Sequence, residues 1–226
     1  MKKYAIIVAA GTGSRMGTDV PKQFLPLAGK QLIYHTVKAF LHSYADLQVV
    51  LVVHKNFTDK SRDLLAELNT QKRIDIVEGG TTRFQSVRNG LLMVLEPSIV
   101  FVHDGVRCMV SKPLIERCYQ LALEKGSAIP AVTATDSIRI ASEGTNHSVD
   151  RNTVRIIQTP QTFQSLILQE AFKLPELTTF TDEASVVEAS GNQVYLVEGD
   201  YDNIKVTRPV DLLIAAQIME QRLSLE

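Results

Sequence analysis

The two cations best placed for chemistry, Arg15 and Lys22, lie within a glycine-rich segment. It runs from Ala9 to Phe24, reads AAGTGSRMGTDVPKQF and contains three glycines. Glycine lets backbone N–H groups close on a phosphate because no Cβ stands in the way, and the cations add fixed positive charge. The segment therefore predicts a nucleoside triphosphate site, with a plain strand-to-helix turn as the alternative.

Two familiar phosphate-binding loops do not describe this segment. The P-loop needs four residues between two glycines and then Lys with Ser or Thr, and no stretch of the chain has that spacing. The dinucleotide fingerprint G-x-G-x-x-G fits at Gly11 and Gly13, but its third position is Met16. An acidic residue is also expected after the second strand, where the sequence reads LVVHK. A dehydrogenase is therefore disfavoured.

Two further groups follow predicted strands, and a lysine lies farther along the chain. Gly80 opens a second glycine turn in GGTTRFQS, Asp104 follows a buried strand in HDGVR, and Lys205 interrupts the apolar run IKV. Asp104 could hold a ribose hydroxyl or Mg²⁺, with a helix cap as the alternative. For Lys205 the alternative is an edge lysine that reaches solvent. Together with Arg15 and Lys22, these groups favour phosphoryl or nucleotidyl transfer, which needs positioning and charge neutralisation.

The remaining polar clusters have simpler explanations. Asp150-Arg151 and Thr181-Asp182-Glu183 are accounted for by surface salt bridges and by the start of a helix. No general base is evident, and an attacking phosphate monoester would not need one. Its second pKa of about 6 leaves it largely ionised at neutral pH.

Composition limits the class of protein. The 226 residues fit one domain, and a formal net charge of −1 gives no electrostatic case for nucleic acid or an acidic membrane. No apolar run approaches the roughly 20 residues that span a bilayer, and the N-terminus is too short for a signal peptide. Cys108 and Cys118 are the only cysteines. We therefore expect a cytoplasmic protein without a disulfide framework, bound to neither nucleic acid nor membrane.

Strand-like and helical patterns alternate along most of the chain, which predicts a mostly parallel α/β sheet with helices on both faces. Ligands bind beyond the carboxyl ends of the strands in such sheets, so the glycine turns and Asp104 should meet at one edge. Helix boundaries are indicated by a capping box at Thr82 and Gln85, an N-cap at Ser111 and a stop at Gly126. The predicted strands are Tyr4–Val8, Val49–Val53, Ile74–Val77, Ile99–Val102, Ala128–Val132 and Val194–Val197.

Residues 133–158 break this rhythm. Two alternating runs, Thr133 to Ile140 and Ser148 to Ile157, flank the polar turn EGTN, and they predict an antiparallel hairpin. A lone hairpin is marginally stable in water. It therefore packs either against a second copy of the chain or back on its own core.

Several motifs occur in an order that identifies a family. They are AAGTGSRMG with PKQF, GGTTRFQSV, HDGVR, TDS, VDR with QTPQTF, FTDEAS and DNIKVTRPVDL, spread from near residue 5 to near residue 215. This set closely resembles the 2-C-methyl-D-erythritol 4-phosphate cytidylyltransferase family of the non-mevalonate isoprenoid pathway. The resemblance implies a Rossmann-like single domain over residues 1–226, whose β-arm at residues 133–158 interlocks two subunits. It also implies transfer of CMP from CTP to methylerythritol phosphate, with Mg²⁺ as cofactor and pyrophosphate as product.

The resemblance assigns roles to individual residues. Arg15 and Lys22 are expected to stabilise the transition state and Lys205 to bind phosphate, while Asp104 lies near the ribose and the metal. The implied nucleotide-binding set is Ala9, Ala10, Gly11, Gly13, Gly80, Thr81, Ser86, Asp104 and Gly105. The implied polyol phosphate set is Arg107, Ser137, Arg151 and Thr181, of which Ser137 and Arg151 come from the partner's arm.

Two other functions stay open at this point. Pentitol phosphate cytidylyltransferases carry similar N-terminal motifs, although FTDEAS and VDR favour methylerythritol phosphate. A non-catalytic regulatory module would bind CTP and release no pyrophosphate.

Overall fold

The computed structural model describes residues 1–11, 20–68, 70 and 73–224, and its strands alternate with helices as the sequence predicts. The strands are β1 (Lys2–Ala9), β2 (Pro26–Leu27), β3 (Lys30–Gln31), β4 (Leu47–Val53), β5 (Ile74–Glu78), β6 (Ser98–Asp104), β7 (Ser127–Thr133), β8 (Ile138–Ser142), β9 (Thr145–Val149), β10 (Arg155–Ile157), β11 (Gln161–Gln164) and β12 (Leu196–Glu198). The helices are α1 (Leu32–Ser43), α2 (Thr58–Ala66), α3 (Arg83–Leu91), α4 (Lys112–Lys125), α5 (Ser165–Ala171), α6 (Glu183–Ala189) and α7 (Pro209–Leu223).

An eight-stranded sheet has the order β10-β7-β11-β6-β1-β4-β5, and β12 also pairs with β7. Its centre is parallel, because β1 pairs in parallel with β4 and β6, and β4 with β5. β10 and β11 run antiparallel to their neighbours. The prediction of a mostly parallel α/β sheet is confirmed, although β11 was not predicted. β2 and β3 form a small sheet of their own.

Alternate residues of the central strands pack on opposite faces of the sheet. Ala5 and Ile7 of β1 belong to the core beneath α1 and α4, whereas Tyr4 and Ile6 belong to the core beneath α3, α5 and α6. Both faces are therefore covered, as a parallel sheet requires. A third cluster, around Val106, packs α7 near the end of β6.

Most of the predicted helix boundaries are confirmed. Ser111 caps α4, which ends at Gly126 with a positive φ of 90°. Thr82 caps α3 by accepting a hydrogen bond from the backbone N–H of Gln85. The predicted capping box at this site is only half formed, because the Gln85 side chain bonds instead to the N–H and hydroxyl of Thr81.

The hairpin is confirmed, but its strands are shorter than predicted. β8 and β9 pair from Ile138 with Val149 to Ser142 with Thr145. A 3-10 turn at Arg151–Thr153 interrupts the second run, and β10 then returns to pair with β7. Residues 141–148 are all exposed, so the hairpin does not fold back on the core of its own chain. Within the described part of the chain, no helix has the length and apolar character to cross a membrane.

Candidate active site

A pocket of about 270 Å³ lies at the carboxyl ends of the central strands, where β1 and β6 end and the turn after β5 begins. It gathers many of the predicted site residues, namely Ala9, Ala10, Gly11, Lys22, Gly80, Thr81, Ser86, Asp104 and Lys205. Two other predicted residues, Gly13 and Arg15, lie outside the described residues. The edge of the sheet predicted from the strand pattern is thus where these groups converge.

A buried glutamine attaches the loop that carries Lys22 to the end of β1. Gln23 is 2% exposed, and its Nε2 donates to the carbonyl oxygens of Ala9 at 2.7 Å and of Gly11 at 3.0 Å. Lys22–Phe24 forms a 3-10 turn, so Lys22 directly precedes this anchored residue. Lys22 is therefore held close to the end of β1.

The turn after β5 contains two glycines in crowded places. A Cβ at Gly79 would lie 2.3 Å from the Cβ of Ala10 at the end of β1, and a Cβ at Gly80 would lie 2.3 Å from the Cβ of Gln85 in α3. The buried hydroxyl of Ser86 accepts a hydrogen bond from the Gly80 N–H at 3.1 Å and donates to the carbonyl of Thr82 at 2.8 Å. The backbone of this turn is therefore fixed and close to the pocket, with no side chain between.

Asp104, at the end of β6, is buried among three cations. Its Oδ2 lies 2.9 Å from Nζ of Lys205 and 3.5 Å from Nε of Arg107. Its Oδ1 lies 3.3 Å from Nη2 of Arg83. Burial raises the pKa of this carboxyl, but the three positive charges outweigh burial and hold the pKa well below its ordinary value. The ionised carboxylate of Asp104 thus holds three cationic side chains together at the end of β6.

A buried histidine holds the turn between Asp104 and Arg107. Nε2 of His103 lies 3.0 Å from the Arg107 carbonyl oxygen, and because a carbonyl only accepts, Nε2 carries the proton. Nδ1 accepts from the Thr159 hydroxyl at 2.9 Å, and Thr159 Oγ1 accepts from the Asp104 N–H at 3.1 Å. Burial lowers the pKa of His103 to about 4, so the ring is neutral at pH 7. These hydrogen bonds fix the backbone at Asp104 and at Arg107.

Lys205 lies in an irregular segment that is tied to the same turn. Nη1 of Arg107 donates to the carbonyl of Asn203 at 2.8 Å, and the Val206 N–H donates to the carbonyl of Val106 at 3.1 Å. These bonds hold Lys205 next to Asp104, although the segment around Lys205 is not a strand. Lys205 is therefore not a lysine of an edge strand, and its side chain, which is 38% exposed, pairs with a buried carboxylate.

Five of the predicted residues do not line this pocket, and one of them is Arg107, which lies beside Asp104. Gly105 packs behind the pocket, where a Cβ would lie 2.9 Å from the Cβ of Ala9. Ser137 and Arg151 are exposed in the hairpin region, and this chain alone does not bring them into the pocket. Thr181 borders a smaller pocket next to the first one, and Arg83 lines both.

Arg83 and the buried Glu183 form an ion pair that the sequence prediction missed. Asp182 does cap α6, accepting from the Ser185 N–H at 2.9 Å. Glu183, however, is 1% exposed and pairs with Arg83, so the expected surface salt bridge is wrong for this residue. Burial raises the pKa of Glu183, although Arg83 favours its ionised form. The only signal in the sequence was their place in the GGTTRFQSV and FTDEAS motifs.

No group of three or more His, Cys, Asp or Glu side chains arranged for a metal occurs among the described residues. Asp104 is the carboxylate that lines the pocket. A metal there would need oxygen ligands from a bound phosphate as well.

Comparison with known proteins finds one family along nearly the whole chain. The family model described as 2-C-methyl-D-erythritol 4-phosphate cytidylyltransferase matches residues 4–221. A protein of that name from Bacteroides thetaiotaomicron is 42% identical over 219 residues, covering 97% of this chain and 100% of the relative. Another, from Alkaliphilus oremlandii, is 39% identical over 227 residues, covering 98% and 96%.

Solved structures show the same similarity. The 2-C-methyl-D-erythritol 4-phosphate cytidylyltransferase of Thermus thermophilus has a TM-score of 0.78 at 31% identity, covering 97% of this chain and 100% of that one. The 4-diphosphocytidyl-2C-methyl-D-erythritol synthase of Anaerococcus prevotii has a TM-score of 0.84 at 27% identity, covering 97% and 98%.

Proposed function

This chain belongs to the 2-C-methyl-D-erythritol 4-phosphate cytidylyltransferase family, and we propose that the pocket at the carboxyl edge of its sheet is the site of the family's reaction. The enzyme transfers CMP from CTP to 2-C-methyl-D-erythritol 4-phosphate, giving 4-diphosphocytidyl-2-C-methyl-D-erythritol and pyrophosphate. The observation that carries the placement is the convergence of Lys22, Lys205 and the two glycine turns on one pocket.

The proposed chemistry is direct attack of the acceptor phosphate on the α-phosphate of CTP. The attacking phosphate is already ionised at neutral pH, so the protein needs no general base. It must neutralise negative charge and align the two phosphates. Lys22 and Lys205 both line the pocket and supply positive charge, and we assign Arg15 the same role on the predicted glycine loop.

We propose that the backbone around the two glycine turns binds the nucleotide. The absence of room for a Cβ at Gly79, 2.3 Å from the Cβ of Ala10, supports this proposal, because it brings the backbone of the second turn close to the end of β1. Ser86 and Thr81 border the same space. The proposed nucleotide-binding set is Ala9, Ala10, Gly11, Gly13, Gly80, Thr81, Ser86, Asp104 and Gly105.

Mg²⁺ is the proposed cofactor, and the residues at the pocket fit it. Asp104 is ionised and faces the pocket, and a carboxylate offers about four lone-pair sites, so it can accept another ligand beside its three cations. Mg²⁺ in such sites is commonly held by one or two carboxylates together with substrate phosphates. Bound there with the triphosphate, the ion would neutralise phosphate charge. Asp104 itself holds Lys205 at the pocket.

The acceptor is proposed to bind to Arg107, Thr181, Ser137 and Arg151, the last two from the hairpin of a second copy. Support comes from the exposure of this region, where Ile140 is 52% and Ile156 48% exposed. An isolated hairpin gains stability by packing, and an interlocked homodimer provides that packing. We also place the enzyme in the cytoplasm, consistent with two free, buried thiols at Cys108 and Cys118.

A pyrophosphate-release assay tests the function and its substrate. We expect release from CTP with 2-C-methyl-D-erythritol 4-phosphate and Mg²⁺, and at least about 10²-fold lower kcat/KM with ribitol 5-phosphate, as expected when buried polar groups are left unpaired. Preference for ribitol 5-phosphate would reassign the acceptor. Binding of CTP without any pyrophosphate release would favour the regulatory module.

A further inference from the structure

Arg83 stands between the nucleotide pocket and the smaller pocket that Thr181 borders. Its guanidinium joins two carboxylates that are far apart in sequence. Nη1 donates to Oε1 of Glu183, and Nη2 lies 3.3 Å from Oδ1 of Asp104. The side chain therefore links the group that holds Lys205 to the helix that begins beside Thr181.

Arg83 compensates the negative charge of the buried Glu183. It is 1% exposed, and its Oε2 has no hydrogen-bond partner among the described residues. A carboxylate buried in this way is costly unless a charge stands against it. Arg83, which is 31% exposed, supplies that charge and still reaches the nucleotide pocket.

The segment around Thr181 is rigid in itself. Gln161 of β11 is buried, and its Nε2 donates to Oδ2 of Asp182 at 2.8 Å. Its Oε1 accepts from the Ala184 N–H, also at 2.8 Å. Thr181 is therefore attached to the fixed start of α6. Arg83 links this helix start to the Asp104 carboxylate itself, through Glu183.

We propose that Arg83 is a positioning residue that, through Glu183, sets the place of the Thr181 segment relative to Asp104, so that the acceptor phosphate meets the α-phosphate of CTP. The inference rests on the proposed function, in which Thr181 contacts the acceptor. An arginine suits the task because its planar fork reaches two carboxylates, whereas lysine has one compact head group. The nucleotide is held mainly by other residues, so loss of the link should harm the acceptor selectively.

Steady-state kinetics of pyrophosphate release, with each substrate varied in turn, test the proposal on the full-length enzyme. Glu183→Gln keeps the size of the side chain and removes its charge. We expect KM for methylerythritol phosphate to rise about 10-fold, within the range of typical coupling between sites, and KM for CTP to stay within about 2-fold. The control Glu188→Gln makes the same change at an exposed position of α6 and should alter neither constant.

Arg83→Lys distinguishes the loss of the link between Asp104 and Glu183 from the loss of positive charge. It keeps a cation but cannot join both carboxylates, so it should show the same selective rise in the acceptor KM. If Glu183→Gln does not fold by circular dichroism, Arg83→Lys and the double variant Arg83→Gln/Glu183→Gln carry the test, since the double variant leaves no unpaired buried charge.

An unchanged acceptor KM in the folded variants would overturn the proposal, and so would equal rises in both KM values, which indicate general loosening. These outcomes are distinct from failure of the proposed function. That failure would appear as absence of pyrophosphate release by the wild-type enzyme with CTP and methylerythritol phosphate.

Discussion

Nζ of Lys205 lies 2.9 Å from Oδ2 of Asp104, and this ion pair brings a lysine from an irregular segment to the end of a buried strand. The same carboxylate also meets Arg83 and Arg107. With Glu183 included, the cluster has three cations and two carboxylates, so it retains an excess of positive charge. Such an excess favours polyphosphate binding at this wall of the pocket.

Lys205→Met should lower kcat/KM by about 10²–10³, the usual scale for removing one preorganised charge-stabilising group. The pyrophosphate-release assay measures the change. Lys112→Met is a matched control, because Lys112 is a surface lysine that pairs with Glu116 at 3.8 Å on α4. Near-normal turnover in Lys205→Met would show that its role is structural.

Lys22→Ala should lower kcat by about 10²–10³ for the same reason. The lysine lines the pocket beside the anchored Gln23, so its removal should leave the neighbouring backbone in place. Circular dichroism should therefore be unchanged while single-turnover rates fall. A loss confined to KM for CTP would instead assign Lys22 to ground-state binding.

His103 should make the fold sensitive to mild acid. Its pKa is lowered from 6.5 to about 4 by burial, so between these values the unfolded chain binds a proton that the folded chain excludes. Its effect is absent above pH 6.5, and stability falls as the pH drops from 6.5 toward 4, by about 3 kcal/mol in total. Urea unfolding between pH 7 and pH 4.5 measures the loss.

Other groups near this turn titrate differently. Asp104 has a lowered pKa, so its contribution is complete above about pH 4 and is lost only at lower pH. Glu183 has a raised pKa and acts in the opposite direction, because its folded form keeps a proton longer. The decisive quantity is therefore the difference between wild type and His103→Gln, which should lose less stability in acid. His147→Gln, at an exposed position in β9, is the control. Equal losses in all three proteins would contradict the assignment.

Gly79→Ala should disturb the fold and the nucleotide site together. The new Cβ would lie 2.3 Å from the Cβ of Ala10 and 3.0 Å from the Ser86 hydroxyl. Overpacking of this kind typically costs about 1–3 kcal/mol. Gly11→Ala places a Cβ where no atom of the described residues lies within 4 Å, so it should keep normal stability and raise KM for CTP. Thermal unfolding measures the stability of both variants, and steady-state kinetics measure their KM for CTP. Equal destabilisation of Gly79→Ala and Gly11→Ala would refute the steric argument.

The sequence was sufficient for those parts of the site that follow from local pattern. Strand and helix alternation placed Gly80 and Asp104 at the same edge, and parallel pairing of β1 with β4 and β6 confirms the reason. The caps at Ser111 and Asp182 are short-range side-chain bonds, which sequence spacing predicts well.

The remaining features depend on contacts between distant segments. Glu183 looked like an ordinary first-turn acid, and only its approach to Arg83 explains its burial. β11 reads QTFQ and lacks an apolar pattern, yet Gln161 is buried because its amide bonds Asp182 and the start of α6. Lys205 reaches the pocket through backbone bonds at Val206. A one-dimensional pattern does not contain such pairings.

The exposed hairpin allows a test of whether each active site combines residues from two subunits. Ser137 and Arg151 do not line the pocket of their own chain, whereas Lys22 does. If each site combines Lys22 of one copy with Arg151 of the other, Lys22→Ala and Arg151→Ala homodimers should both be nearly inactive. When the two variants are unfolded and refolded together, about half of the dimers are heterodimers, each with one intact site, so about a quarter of wild-type activity should return.

The matched control is a mixture of Lys22→Ala with Lys22→Ala/Arg151→Ala. It should stay inactive, because every site then lacks Lys22. A monomer by light scattering, or no recovery from the first mixture, would place the whole site within one chain.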